Sequence, residues 1–259
     1  MSETVITSRD NLLFKRLKKL AESARARREA QMTLLDGEHL LAAYLDAGGQ
    51  PYTLVRAESF DAGRFEQWRV RCPAAKAIAL PDALFDELTP VSTPTGLLAE
   101  STWLSPTARE DTPLIIVLED IQDPGNLGSM LRTGAAAGAT RAVLSKGCHD
   151  PWSPKALRGG QGAQFVLPIE QGVDVPAWCA QFKGQSLALA LGEERSVFSS
   201  DLTGPLALIV GNEGAGLSDD VRAAATATVQ IPMPGKMESL NASAALAIAV
   251  FEAVRQRLV

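Results

Sequence analysis

The sequence predicts an α/β protein of two domains, a small α/β domain and then a larger one built on a parallel sheet. Three observations predict it. The second half of the chain alternates short apolar runs with helical stretches. The segment 88–113 between the halves is rich in Pro, Thr and Ser. A chain of 259 residues, 46% hydrophobic, is long enough for two cores and too apolar for a disordered tail. The predicted boundaries are 1–105 and 106–259.

In the first domain "MTLLDG" reads as a strand and "EHLLAAYLDAGG" as a helix with a glycine stop. "PYTLVRAE" and "KAIALP" read as further strands, and 88–113 as a linker. In the second domain the apolar runs are "LIIVLE" (114–119), "RAVLS" (141–145), "QFVLPIE" (164–170), "SLALAL" (186–191), "LALIVG" (206–211) and "TVQIP" (228–232). Continuous apolar runs separated by helices are how buried parallel strands read. The last helix is predicted from near Ser239, with Leu240, Ala244, Ala247, Phe251, Val254 and Leu258 on one face at helical spacing.

Charge is uneven. The net charge is −5, yet Arg9, Lys15, Arg16, Lys18, Lys19, Arg25, Arg27 and Arg28 fall within residues 1–30, against only four acidic residues there. The segment reads either as a solvated helix face or as a surface for phosphates, since clustered cations release counterions from nucleic acid. Cys72, Cys148 and Cys179 are scattered, giving neither a disulfide framework nor zinc spacing. His39 and His149 are isolated, which argues against a Ser-His-Asp hydrolase. No secretory signal opens the sequence, and the apolar stretch near 242–251 is too short to span a bilayer. A cytoplasmic protein without membrane or metal is the expectation.

Ligands of open α/β sheets bind beyond the carboxyl ends of the strands. Three loops leave predicted strands there with unusual residues: "EDIQDPGNLGSMLRTG", "GNEGAGLS" and "PMPGKMESLNAS". In the first, a helix starting near Asn126 makes Asn126, Ser129 and Arg132 neighbours at i, i+3 spacing, a stripe able to hold an anion. Read alone, it is also an Asn-capped helix with a surface Arg. In the second, Glu213 lies among Gly211, Gly214 and Gly216, which admit close backbone approach or form a plain tight turn. The order G-x-x-G-x-G is not the dinucleotide fingerprint, and no phosphate-binding P-loop occurs. In the third, Ser239 and Asn241 stand at the start of the last helix, with Ser239 a candidate cap.

Together "NLGSMLRT", "IVGNEGAGLS" and "IPMPGKMESLNASAA" resemble the three motifs of the SpoU/TrmH group of RNA ribose 2′-O-methyltransferases, in the SPOUT class. The resemblance covers the whole chain, and its front end is similar to the substrate-binding domain that precedes the catalytic domain in many members. It implies a trefoil knot at the carboxyl end, S-adenosyl-L-methionine as cofactor, a homodimer and an RNA substrate, with rRNA placed before tRNA. By position it implies a cofactor site at Leu191, Gly211, Ile231, Met233 and Leu240. The implied catalytic residue is Arg132, helped by Asn126, Glu213, Ser239 and Asn241, and the eight front-end cations become RNA contacts. Asp36 in "LLDGEHL", "NAS" at 241–243 and "RGGQGAQF" at 158–165 depart from the usual family pattern and bear on the RNA target. Arg132 acts either as the proton acceptor or as a fixed charge beside the developing alkoxide. The second is physically easier, because free Arg holds its proton above about pH 12. A dinucleotide-dependent oxidoreductase and a non-enzymatic RNA-binding protein are the competing readings.

Overall fold

The computed structural model describes residues 3–89, 94–107 and 112–258. Two compact units form, one from 1–104 with 150–165 and the other from 105–149 with 166–259.

In the first unit β1 (Thr4–Val5) leads to α1 (Leu12–Glu22), capped by Asn11, whose side chain accepts from the amides of Leu13 and Phe14. α1 buries Phe14, Leu17 and Leu20. There follow α2 (Ala24–Ala30), β2 (Met32–Asp36), α3 (Glu38–Asp46), β3 (Thr53–Ala57), α4 (Ala62–Arg71), β4 (Lys76–Leu80), α5 (Asp82–Asp86) and β5 (Leu97–Thr102). The sheet order is β1-β4-β3-β5-β2, with β5 antiparallel to both its neighbours. Here the structure corrects the expected linker: its "LLAEST" is an interior strand. Leu97, Leu98 and Ala99 are buried, and β5 completes a sheet that β2 and β3 cannot close on each other. Pro, Thr and Ser on either side of a six-residue strand concealed it. The other linker positions 90–93 and 108–111 lie outside the described residues.

The second unit carries β6 (Leu114–Leu118), α6 (Pro124–Ala136) and β7 (Arg141–Ser145). The chain then gives α7 (Pro154–Gly160) and a 3-10 turn at Ala163–Phe165 to the first unit. There Trp152 stacks on Trp103 at 5.0 Å, and Phe165 meets the edge of Tyr44. The second unit resumes with β8 (Ile169–Val173), α8 (Val175–Gln181), β9 (Gln185–Leu189), β10 (Leu206–Val210), α9 (Asp219–Ala224), β11 (Ala227–Val229) and α10 (Ala242–Arg257). β8 therefore starts later than the expected run 164–170, because Phe165 serves the first unit's core.

All pairs in the second sheet are parallel, in the order β11-β9-β10-β6-β7-β8. β6 and β10 lie side by side, Leu114 opposite Leu206 and Leu118 opposite Val210, with every residue of both buried. β6 connects onward to β7 on one side, and β10 connects onward to β11 on the other. Order reverses between them, which opens a crevice at their carboxyl ends. α10 packs on α6 and β10. It begins at Ala242, with Asn241 rather than Ser239 as its cap. Its core face is Ala242, Leu246, Ala249, Val250 and Ala253; Ala244, Phe251 and Leu258 from the predicted face are exposed instead.

The basic segment is less free than its sequence suggests. Arg27 is 4% exposed; it pairs with Asp150 at 2.7 Å and donates to the carbonyls of Leu20 and Ala21. Buried so, it cannot meet a phosphate and leaves the expected RNA-contacting set. Arg9 and Lys18 both pair with Glu87, Lys15 with Asp10, Arg16 with the buried Glu100, and Arg25 with Glu29. Lys19 and Arg28 are exposed without an ion pair among the described residues.

Removing one partner of a buried ion pair strands the other charge. Arg27→Met is therefore expected to lower unfolding stability by about 3–5 kcal/mol, read from urea denaturation. A loss under about 1 kcal/mol, the range of a surface pair, would contradict the assignment.

Candidate active site

The site lies where three loops leave β6, β10 and β11. The first becomes α6. Asp123 caps it, its carboxylate accepting from the amide of Asn126 at 2.7 Å, and Pro124 occupies the first turn where no amide is needed. Asn126 thus sits in the first turn, facing the crevice. The helix is small-sided because it runs close over the sheet. A Cβ on Gly134 would stand 2.6 Å from Ile116 Cδ1, so a larger residue pushes α6 off β6.

The second loop is folded back on itself. A Cβ on Gly211 would lie 2.4 Å from the carbonyl oxygen of Gly216, which only glycine permits. Asn212 pins the turn: its Oδ1 accepts from the amides of Gly214 and Ala215, and its Nδ2 donates to the carbonyl of Asp120 at 2.9 Å. Glu119 holds the far end, accepting from the amide and hydroxyl of Ser218 at 2.9 and 2.6 Å. Two residues from the end of β6 thereby fix the loop that follows β10. Beside them Ser145 donates to Asp120, and Cys148 donates to the carbonyl of Leu118. Burial pushes the Cys148 thiol up, so it acts as a donor and not as a nucleophile.

The third loop ends at Asn241. Its Oδ1 accepts from the amides of Ser243 and Ala244 and from the Ser243 hydroxyl, while its Nδ2 donates to Asn126 Oδ1 at 3.2 Å. Asn126 Nδ2 donates in turn to Glu213 Oε1 at 2.7 Å. One chain of side-chain hydrogen bonds therefore joins the three loops.

Beside this chain opens a cleft of about 400 Å³, within the usual range for small-molecule sites. Its walls are apolar at Leu189, Leu191, Ile231, Met233 and Leu240, with backbone from Gly211 to Gly216. All five positions expected for the cofactor line it, as do Glu213 and Ser239. Asn126 and Asn241 adjoin it through Glu213. Arg132 does not line it. It lies six residues, about 9 Å, further along α6, exposed and without an ion pair among the described residues. Sequence reasoning missed Asn212, Ser243 and Glu119, which act by orienting the loops. It also missed Arg222 of α9, a second charged side chain in the wall. The strand-end position of Glu119 and the Asn before Glu213 were the signals available. Nothing marked Arg222, whose approach depends on how α9 folds back. The described residues contain no cluster of His, Cys, Asp or Glu able to hold a metal, and no helix long and apolar enough to cross a membrane. Apolar walls, glycine backbone and few charges fit a nucleoside-bearing cofactor held mainly by its flat ring and by amides.

Comparison with known proteins agrees with this geometry. The SpoU rRNA Methylase family model matches residues 113–251. A protein of Synechocystis sp., described as an uncharacterized tRNA/rRNA methyltransferase, is 32% identical over 97% of this chain and 94% of its own. A 23S rRNA (guanosine-2′-O-)-methyltransferase of Pseudomonas putida is 38% identical over 58% of this chain; the match spans 62% of that relative. The crystal structure of an AdoMet-bound rRNA methyltransferase from Sinorhizobium meliloti superposes with a TM-score of 0.82 at 28% identity, covering 97% of each chain.

Asn212 lines the cleft and makes three side-chain hydrogen bonds that shape its wall. Asn212→Ala is expected to weaken S-adenosylhomocysteine binding roughly tenfold, the cost of about one to two such bonds. The thermal midpoint should shift little. Calorimetric titration checks this, and unchanged affinity would remove Asn212 from the site's support.

Proposed function

The chain belongs to the SpoU rRNA methylase family and is an RNA methyltransferase, and we propose that its substrate is a ribose 2′-hydroxyl of ribosomal RNA and its methyl donor S-adenosyl-L-methionine. The observation that carries the reading is the hydrogen-bonded chain Glu213–Asn126–Asn241 at the switch point, beside an apolar, glycine-backed cleft. Ribosomal RNA is favoured over tRNA because the curated relative from P. putida acts on 23S rRNA. We further propose that the chain is knotted where its last loops cross, that the unit of 1–104 with 150–165 binds the substrate and the other is the catalytic one, and that the enzyme works in the cytoplasm.

When bound, the donor supplies a methyl on a sulfonium, whose departure leaves a neutral thioether. The residues do the rest by position. Asn126 and Asn241 hold each other and present polar edges to an incoming ribose, and Glu213 keeps the Asn126 amide turned one way. Ser239 offers a hydroxyl at the cleft wall. Arg132 steadies the phosphate next to the reacting ribose and the alkoxide as it forms, and the hydroxyl's proton leaves to water or to a nearby carbonyl. Orientation of this kind is worth effective molarities of roughly 10⁵–10⁸ M. Of the front-end cations, Lys19 and Arg28 are the freest to meet phosphates, with Arg9, Lys15, Arg16, Lys18 and Arg25 able to exchange their carboxylate partners for them.

Arg132 stands outside its own cleft, so the reading requires a second copy. The outer face of α10 supplies the surface: Phe251 is 48% exposed and Leu258 82%, on the same side as Ala244. Since α6 packs against α10, a homodimer formed through that face brings α6 and its Arg132 to the interface.

Three outcomes follow. Phe251→Glu is expected to yield a monomer in sedimentation analysis and to lose transfer activity; an active monomer would contradict the shared site. Arg132→Ala and Glu213→Ala are each expected to cut transfer of labelled methyl to unmodified rRNA by roughly a hundredfold. A remixed sample of the two, after subunit exchange, should regain roughly a quarter of wild-type activity, because statistical pairing rebuilds some intact sites. No recovery would place Arg132 in the site of its own chain. Label entering tRNA and not rRNA would overturn the substrate.

A further inference from the structure

Sheet order gives the cleft two ends. Glu213 follows β10 and Asn126 follows β6, so the polar chain that handles the ribose stands at the β10–β6 end. Leu189 and Leu191 belong to β9 and the turn after it, and Ile231 and Met233 follow β11, so the apolar walls gather at the β9–β11 end. The group to be transferred must reach the first end. The nucleoside of the donor then occupies the second.

A cation stands there. Arg222 lines the cleft, 43% exposed, and its Nη2 donates to Glu193 Oε1 at 2.7 Å. Glu193 Oε2 accepts from the Thr228 hydroxyl at 2.6 Å. Thr228 lies in β11 and Glu193 in the turn after β9, so both anchors rise from the strands that carry the apolar walls. A guanidinium tethered through a fixed carboxylate keeps its plane more defined than a free surface Arg does. Planar guanidinium groups stack on aromatic rings, and a purine face is such a ring.

We infer that Arg222 is a cofactor-contacting residue whose guanidinium, set by Glu193 and Thr228, packs against the purine of the methyl donor. The inference rests on S-adenosylmethionine being that donor. It assigns the nucleoside end a charged contact beyond the five apolar and backbone positions, and it makes recognition there independent of the donor's amino-acid arm.

The test compares two ligands that share the nucleoside: S-adenosylhomocysteine, which has a carboxylate, and 5′-methylthioadenosine, which lacks one. Each is titrated calorimetrically into the full chain, wild type, Arg222→Ala and Arg222→Lys. Arg222→Ala is expected to weaken both ligands by the same factor, roughly tenfold, with the ligand-free melting midpoint unchanged. Arg222→Lys keeps the charge, loses the plane, and should weaken both as well. Weakening of S-adenosylhomocysteine alone would mean that Arg222 pairs with the carboxylate and would overturn the inference, as would unchanged affinity for both. A wild-type chain that binds neither ligand would instead overturn the methyl-donor reading beneath it.

Discussion

The site depends on a single amide. Asn126 must turn its Nδ2 toward Glu213 and its Oδ1 toward Asn241 and Ser243, joining the loops after β6, β10 and β11. An Asn side chain offers donors on one atom and an acceptor on the other, so it can bridge a carboxylate on one side and an amide donor on the other without a change in protonation. Glu213 as acceptor and the Asn241 amide as donor fix that orientation. Loop backbones that could drift apart are held at hydrogen-bond distance, so the groups beside the cleft are prearranged.

Such a bridge works only if the loops arrive at the right height, and the framework ensures this. β6 and β10 are paired along their whole length and buried on both faces. Gly134 lets α6 lie on Ile116, and Gly211 lets the second loop fold onto Gly216. Glu119 and Asn212 tie the two strand ends together. Each device is short-range, yet all act on the crevice where sheet order reverses.

Much of this was legible in the sequence, for identifiable reasons. Apolar runs such as "LIIVL" and "LALIV" are long enough and flanked clearly enough to read as buried strands, and their trailing loops carried the unusual residues. The loops that carry Glu213 and Asn241 were singled out that way, while the five positions that line the cleft were expected only from the family resemblance. What failed was context. β5 was hidden because its neighbours are turn formers and its pairing is with strands far away in sequence. Residues 150–165 look like part of the second domain and pack with the first, which periodicity cannot show. The outer face of α10 looked like a core face because Ala, Phe and Leu at helical spacing do not say which side meets the sheet. Arg27 looked like a surface cation because its partner, Asp150, is more than a hundred residues away.

The most direct test of the account is a double-mutant cycle between Asn126 and Glu213, read as the rate of methyl transfer to rRNA. The two residues are claimed to work as one unit. Asn126→Ala, Glu213→Ala and the double variant should then show losses that do not add, the double being no worse than the worse single to within about 0.5 kcal/mol. Losses that multiply would mean that the two side chains act independently, and the bridge would be a contact without a function.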